Sequence, residues 1–270
     1  MLTLTLKNRT DYQLDLTGIV PDAMAGKSPR EIEQIFVRYG NRETPLGELF
    51  TVKGSAADGV TLLEGDFRMA TNLGAGLKAG GLTVVGNAGD NVGLGMWAGT
   101  IEITASAGNN LGAEMQGGLI RVRGSVEENV GGAQPGSTRG MAGGTILIDG
   151  SAGDFVGRRM RRGLIAIGGR AGRFLGSNML AGSIVAFDLC ANDTGTDMIR
   201  GTICLAADQQ RFEQPTFRFA CTAHAPVLGM VGRRLQSLGF ENDLWHAGRK
   251  WQHFNGDFLN SGRGEIFLAE

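Results

Sequence analysis

Cysteine is scarce in this chain. The three present, Cys190, Cys204 and Cys221, have no CxxC spacing, so neither a zinc nor an iron–sulfur site can be read from them. A reducing compartment suits such usage. Proline is scarce too, with six residues, and no Gly-X-Y period runs through the sequence, which excludes collagen. No apolar run reaches about 18 residues and no signal peptide is evident, so a soluble, cytoplasmic protein away from membranes is expected. Neither sign of charge dominates: 26 basic and 27 acidic residues leave a net charge of −1, which gives no case for a nucleic-acid partner. Histidine is limited to His224, His246 and His253. The last two would share one face only of a helix, Gly248 counts against that helix, and no carboxylates stand nearby in a metal-like arrangement. No Ser/His/Asp or Cys/His order has supporting context, so neither catalytic residues nor a metal site are expected.

Glycine is what the chain has in excess, with 45 residues. Much of it falls in a repeat. Met96-Trp-Ala-Gly-Thr-Ile-Glu-Ile recurs in related form at Met115, Met141, Met160, Met179 and Met198, with spacings of 19, 26, 19, 19 and 19. The 26 is one period plus a seven-residue insertion at Gln134–Gly140. Extended backwards, the period gives about eight units over 58–206.

Within each unit, two apolar columns flank a variable one. The first runs Leu63, Leu82, Ile101, Ile120, Ile146, Ile165, Ile184, Ile203, and the second Val84, Ile103, Val122, Ile148, Ile167, Ala186, Leu205. The residue between varies: Thr83, Glu102, Arg121, Leu147, Ala166, Val185, Cys204. In-out-in alternation is the signature of a half-buried strand, and the variable column is expected to face outward. Further inward columns include Ala88, Ala107, Val126, Ala152, Ala171 and Cys190. Glycines punctuate the corners. Asn72, Asn91, Asn110 and Asn129, then Phe155 and Phe174, fill one corner column, where stacked amides and then stacked rings are expected. The fold class predicted is all-β: a single-stranded right-handed β-helix, a solenoid of about eight 19-residue coils on the order of 35 Å long, with small mixed α/β caps.

The caps would be 1–57 and 207–270. In the first, Ser28-Pro-Arg-Glu31 reads as a capping box opening a helix, with Ile32, Ile35, Phe36 and Tyr39 as its apolar face and Gly40 as its end. Strands are expected at Met1–Leu6 and around Leu49–Val52. The second is aromatic, holds a possible short helix at Val227–Gly239, and suits both a cap and a protein–protein surface.

The outward column carries one acid, which does not support a carbohydrate-cleaving groove. No six-residue period supports a hexapeptide acyltransferase, and the Gly-x-Gly strings lack the strand-to-helix context of a phosphate loop. One charged cluster stands out. Arg158, Arg159, Arg161 and Arg162 fall within five residues, with Arg170 and Arg173 shortly after, and repel one another unless an anion answers them. Two readings are open: solvated charge or salt bridges to a partner subunit, or a docking strip for an anionic group such as a polycarboxylate tail.

The repeat unit Met-x-Gly-Gly-x-Ile-x-Ile…Gly-x-Ala-Gly-x-x-Val-Gly resembles the glycine-rich right-handed β-helix shared by the glutamate synthase C-terminal domain and the C subunit of formylmethanofuran dehydrogenase. The whole chain, with flanks such as Arg211-Phe-Glu-Gln-Pro-Thr-Phe217, is similar to the C subunits of the bacterial formyltransferase/hydrolase complexes of methylotrophs. The resemblance implies a non-catalytic scaffold in formaldehyde oxidation, where formyl passes from tetrahydromethanopterin to a furan-type carrier and is hydrolysed to formate. It implies hydrolase and formyltransferase partners, with catalysis in those subunits. The carrier's glutamate-containing tail gives the arginine strip a candidate ligand. The C subunit of a molybdenum or tungsten formylmethanofuran dehydrogenase, or a glutamate-synthase-like structural module, is the alternative.

Overall fold

The computed structural model describes residues 1–206, 212–240 and 249–270. In chain order the first elements are β1 (Leu2–Leu6), β2 (Leu14–Asp15), α1 (Pro21–Met24), α2 (Pro29–Glu33), β3 (Phe36–Tyr39), β4 (Arg42–Pro45), α3 (Leu46–Leu49) and β5 (Phe50–Gly54). The repeats follow as β6 (Val60–Glu64), β7 (Ala70–Thr71), β8 (Gly81–Val85), β9 (Thr100–Ile103), β10 (Leu119–Val122), β11 (Thr145–Ile148), β12 (Leu164–Ile167), β13 (Ser183–Ala186) and β14 (Arg200–Leu205). Last come β15 (Arg218–Ala223), α4 (Pro226–Ser237), β16 (Trp251–Gly256), a 3₁₀ turn at Phe258–Asn260 and β17 (Arg263–Ala269). The chain is all-β in class, with a 13-stranded, mostly parallel sheet and a 4-stranded one among the described residues.

From Leu82 onward the period of the sequence is the period of the sheet; in the first unit Thr61, not Leu63, stands beside Leu82, and Leu63 lies beside Val84. From β6 through β8 to β14 each unit's strand pairs in parallel with the next, so that Leu82, Ile101, Ile120, Ile146, Ile165, Ile184 and Ile203 lie side by side. The insertion leaves this register intact: Ile120 still meets Ile146. A second set of parallel bridges joins most of the same units, through Phe67–Ala88, Ala107–Val126, Val126–Ala152, Ala152–Ala171 and Ala171–Cys190. Each unit alone has almost nothing to bury against; stacked, they enclose one continuous core containing both apolar strand columns and the six repeat methionines, all 0–1% exposed. Glycine is required where the backbone turns beside that core. Gly112 has φ +61°, and a Cβ there would come within 2.5 Å of Ile146 Cδ1.

The asparagine corner forms the expected ladder. Asn72, Asn91, Asn110 and Asn129 all adopt φ near +60°. Asn91 Nδ2 donates to Asn72 Oδ1 (3.1 Å), Asn110 Nδ2 to Asn91 Oδ1 (3.0 Å) and Asn129 Nδ2 to Asn110 Oδ1 (2.8 Å). At the start, Asn72 Nδ2 donates to Asp15 Oδ1 (2.9 Å). Burial pushes the Asp15 carboxyl up, but hydrogen bonds from Thr17 and Asn72 outweigh it and hold its pKa below the usual value. At the other end Phe155 has no donor to offer, and Asn129 Oδ1 is buried without a partner. From there the rings of Phe155 and Phe174 stack, 5.1 Å apart and 4° from parallel.

The non-repetitive ends join the same sheet. β1 pairs in parallel with β6 and antiparallel with β5. The Ser28–Glu31 capping box is present in both directions. The helix it opens stops at Glu33, however, and Phe36–Tyr39 is a strand, antiparallel to β2 and β4. Apolar residues at 32, 35, 36 and 39 fit helical spacing, but Phe-Val-Arg-Tyr alternates as well. Val37 is buried while Phe36 is 61% exposed, and the two strand partners decide the outcome. At the far end β17 continues the repeat's register, with Ile266 beside Ile203, and β16 and β15 extend the sheet antiparallel.

The variable column departs from expectation. Thr83, Glu102 and Arg121 are half-buried, but Leu147, Ala166, Val185 and Cys204 are 0–1% exposed. They form a second core with Leu228 and Leu235 of α4, Phe240, Trp251 and Phe267. The last four repeat strands are therefore apolar on both faces, as covered parallel strands are. The expected helix near Val227–Gly239 exists as α4 and is the cover.

Candidate functional site

The insertion and the arginine cluster form one place in the structure. Ala133 N donates to the Arg158 carbonyl (3.2 Å) and Gly140 N to the Arg159 carbonyl (2.9 Å), so both feet of the insertion stand on the next unit's corner. Arg159, at φ +57°, is half-buried, and its Nη1 donates to the Ser137 carbonyl (2.6 Å). The insertion's own Arg139 is exposed beside it.

The cluster does not act as four equivalent charges. The buried Met160 divides it, leaving Arg158 and Arg159 before the corner and Arg161 and Arg162 after it. Arg158 lies over the Phe155 ring, 5.5 Å from its centroid. Of the two later arginines, Arg173 lies over Phe174 (4.9 Å) and pairs with Asp193 (2.7 Å), whose hydrogen bond raises its pKa. Arg170 approaches Asp188 at 3.9 Å. Arg161 and Arg162 are exposed and make no ion pair with any described residue.

Strand register lengthens this basic face. Leu164, Ser183, Thr202 and Glu265 are successive partners across β12, β13, β14 and β17. Two residues ahead of them stand Arg162, Ala181, Arg200 and Arg263, and Arg200 and Arg263 are direct neighbours. With strands about 4.8 Å apart, Arg200 and Arg263 stand at strand spacing and Arg162 lies two strands further on, beyond Ala181. Together they offer several charge-assisted donors to an anion with many carboxylates.

Other candidates have structural roles. His253 lies on strand β16, not on a helix; it stacks on Phe267 at 4.4 Å and approaches Glu265 at 3.5 Å. His224 Nδ1 is 3.2 Å from the Arg249 carbonyl, and His246 and Arg211 lie outside the described residues. Cys190 is partly exposed at the surface but packs on the core; burial of its thiol pushes the pKa up to about 12. Burial also raises the Cys204 thiol, an inert lining of the second core. Among the described residues no group of three or more metal-ligating side chains gathers, and no helix is long and apolar enough to cross a membrane.

No protein-family model matches the chain. The C subunit of the tungsten-containing formylmethanofuran dehydrogenase 2 of Methanothermobacter marburgensis is 36% identical over 90 residues, which is 32% of this chain and 33% of that protein. The C subunit of the molybdenum-containing formylmethanofuran dehydrogenase 1 of Methanosarcina barkeri is 36% identical over 87 residues, 31% and 29% of the two chains. The matched stretch thus spans about a third of these curated relatives. A solved structure matches from end to end. The C subunit in the formyltransferase/hydrolase complex FhcABCD from Methylorubrum extorquens, crystallised with methylofuran, superposes with a TM-score of 0.91 at 32% identity, covering 99% of both chains.

The chain belongs to this C-subunit family.

As a C subunit it carries two features that column-by-column reading of the repeat missed. Arg263 joins these arginines from outside the repeats, and only the pairing of β17 with β14 reveals it. The second core did have a signal: the variable column turns from Thr-Glu-Arg to Leu-Ala-Val-Cys after the insertion.

Proposed function

We propose that this C subunit is the non-catalytic scaffold of a cytoplasmic formyltransferase/hydrolase complex, which converts formyl-tetrahydromethanopterin to formate through a furan-type carrier. The observation that carries the reading is the end-to-end correspondence with a subunit of such an assembly. In fold terms we propose a right-handed β-helix over 58–206, closed by caps at 1–57 and 207–270. A parallel ladder joining every unit and a second one joining most of them support it. Three free cysteines fit a reducing cytoplasm.

In this reading Arg158, Arg159, Arg161 and Arg162, extended by Arg200 and Arg263, dock the glutamyl tail of a methanofuran-like carrier. Polyglutamate would meet the exposed Arg161 and Arg162 near the insertion and Arg200 and Arg263 beyond Ala181, while the rod supplies rigidity. Isolation of the tagged chain from its source should bring hydrolase and formyltransferase subunits with it. Iron–sulfur and molybdenum or tungsten subunits in their place would favour the dehydrogenase reading, towards which the curated relatives point. Arg158→Glu with Arg161→Glu should lower affinity for polyglutamate by more than tenfold without shifting the melting temperature, a loss of about 1.4 kcal/mol or more. Unchanged affinity would remove the docking role.

A further inference from the structure

The long sheet has two edges, and among the described residues only one is covered. At the first, β5 turns Phe50 and Val52 into the core, shows Lys53 and Gly54 at its open end, and is flanked by α2 and α3. Those are ordinary defences of an edge strand. At the second, β15 pairs with β16 on one side, and all six of its residues are exposed. Its sequence, Arg-Phe-Ala-Cys-Thr-Ala, has a single charge, at its first residue. Phe219 is 57% exposed, and beside the strand's start Phe258 and Leu259 are 53% and 77% exposed. The Arg218 guanidinium lies 5.3 Å from the Phe258 ring centroid and has no ion pair with any described residue.

An uncharged edge beside exposed apolar rings is a template for another strand. We propose that β15 is a docking strand: an extended segment of a different subunit adds to it by main-chain hydrogen bonds, lays apolar side chains over Phe219, Phe258 and Leu259, and sets a carboxylate against Arg218. The inference rests on the subunit reading above and supplies its place and mode. Charge selects the occupant. Arg218 is the one charged residue of the edge strand, and it has no acidic partner among the described residues. A second copy of β15 brings no acid to pair with Arg218, whereas a segment that carries a carboxylate does.

Hydrogen–deuterium exchange of the chain alone and of its assembled complex reads this directly. Residues 218–223 should exchange at least about tenfold more slowly in the complex. Arg218→Glu with Phe219→Asp, at exposed positions, should leave the melting temperature unchanged and release one partner subunit. If the complex assembles while 218–223 exchange as fast as in the free chain, docking at β15 is overturned and the subunit reading stands. If the chain isolates with no partner subunit, both fall. Protection that accompanies a homodimer overturns the heterologous occupant in favour of a second copy.

Discussion

The two halves of the repeat array share an inner core but differ in the outward column of the sheet and at one corner. Before the insertion, the outward column of the sheet holds Thr83, Glu102 and Arg121, and the corner holds a ladder of asparagines. After it, the outward column is Leu147, Ala166, Val185 and Cys204 beneath α4, and the corner holds stacked phenylalanines. The insertion stands between. A repeat's inward columns are therefore set by stacking on its neighbours, and its outward ones by what else the chain places over them. The first half is a half-solvated sheet; the second is doubly covered and reads as near-continuous apolar strands.

The sharpest way to break this contrast is one change at equivalent positions. Val185→Asp puts a carboxylate into the core beneath α4, and should cost about 3–5 kcal/mol. Thr83→Asp, two units before the insertion's own, stands at the same place in a half-exposed strand, beside Glu102, and should cost about 1 kcal/mol. Urea unfolding of the two variants measures the difference. Similar losses would mean that the outward faces are not distinct surfaces.

How much of this was legible in the sequence follows from the same division. Parallel stacking, inward columns and the asparagine ladder were all readable, because each residue's partner is its own counterpart one period away. Asn110 can be placed against Asn91 by arithmetic alone. Contacts between unlike segments have no such arithmetic. Phe36 and Tyr39 suited helical spacing until β2 and β4 pulled them into a strand. Arg263 joined the basic face through a pairing that no period announces. For the arginine strip, the sequence located Arg158–Arg162, but not that Arg159 is tied to the insertion and Arg158 to a ring, leaving Arg161 and Arg162 as the freest charges.

The boundary between the halves has a clasp, Arg121. Its Nη1 donates to the Leu238 carbonyl (2.9 Å) and its Nη2 to the Gly239 carbonyl (3.1 Å), just past the C-terminus of α4, while Asp149 lies 3.2 Å away. A cation there also favours the helix dipole. Arg121→Ala should cost about 2 kcal/mol, since charged hydrogen bonds to a helix end are lost. Amide exchange should accelerate in α4 and leave Ile120 and Val122 protected. Arg121→Lys should recover only part of the loss, because one ammonium cannot span both carbonyls and the carboxylate. If acceleration spread equally through the inner strands, the clasp would belong to the whole fold and not to its covered half.

The corner separates the halves by smaller energies. Asn110 gives one ladder bond and accepts another, and it does so at φ +61°. Asn110→Ala loses both bonds and places an alanine in the left-handed region, for about 2 kcal/mol in all. Asn110→Gly loses the same bonds but has no Cβ to strain, so it should cost about 1 kcal/mol less than alanine. Thermal melts of the pair isolate the backbone contribution. Equal losses would mean that the ladder's side-chain bonds alone hold this corner, and that asparagine was not chosen for its tolerance of the turn. The phenylalanine half offers a control, because Phe155 and Phe174 adopt φ +62° and +60° without any amide bond. Glycine at Phe174 trades backbone relief against a lost ring stack, two contributions each on the order of 1 kcal/mol, so its net change should be smaller than that of Asn110→Ala.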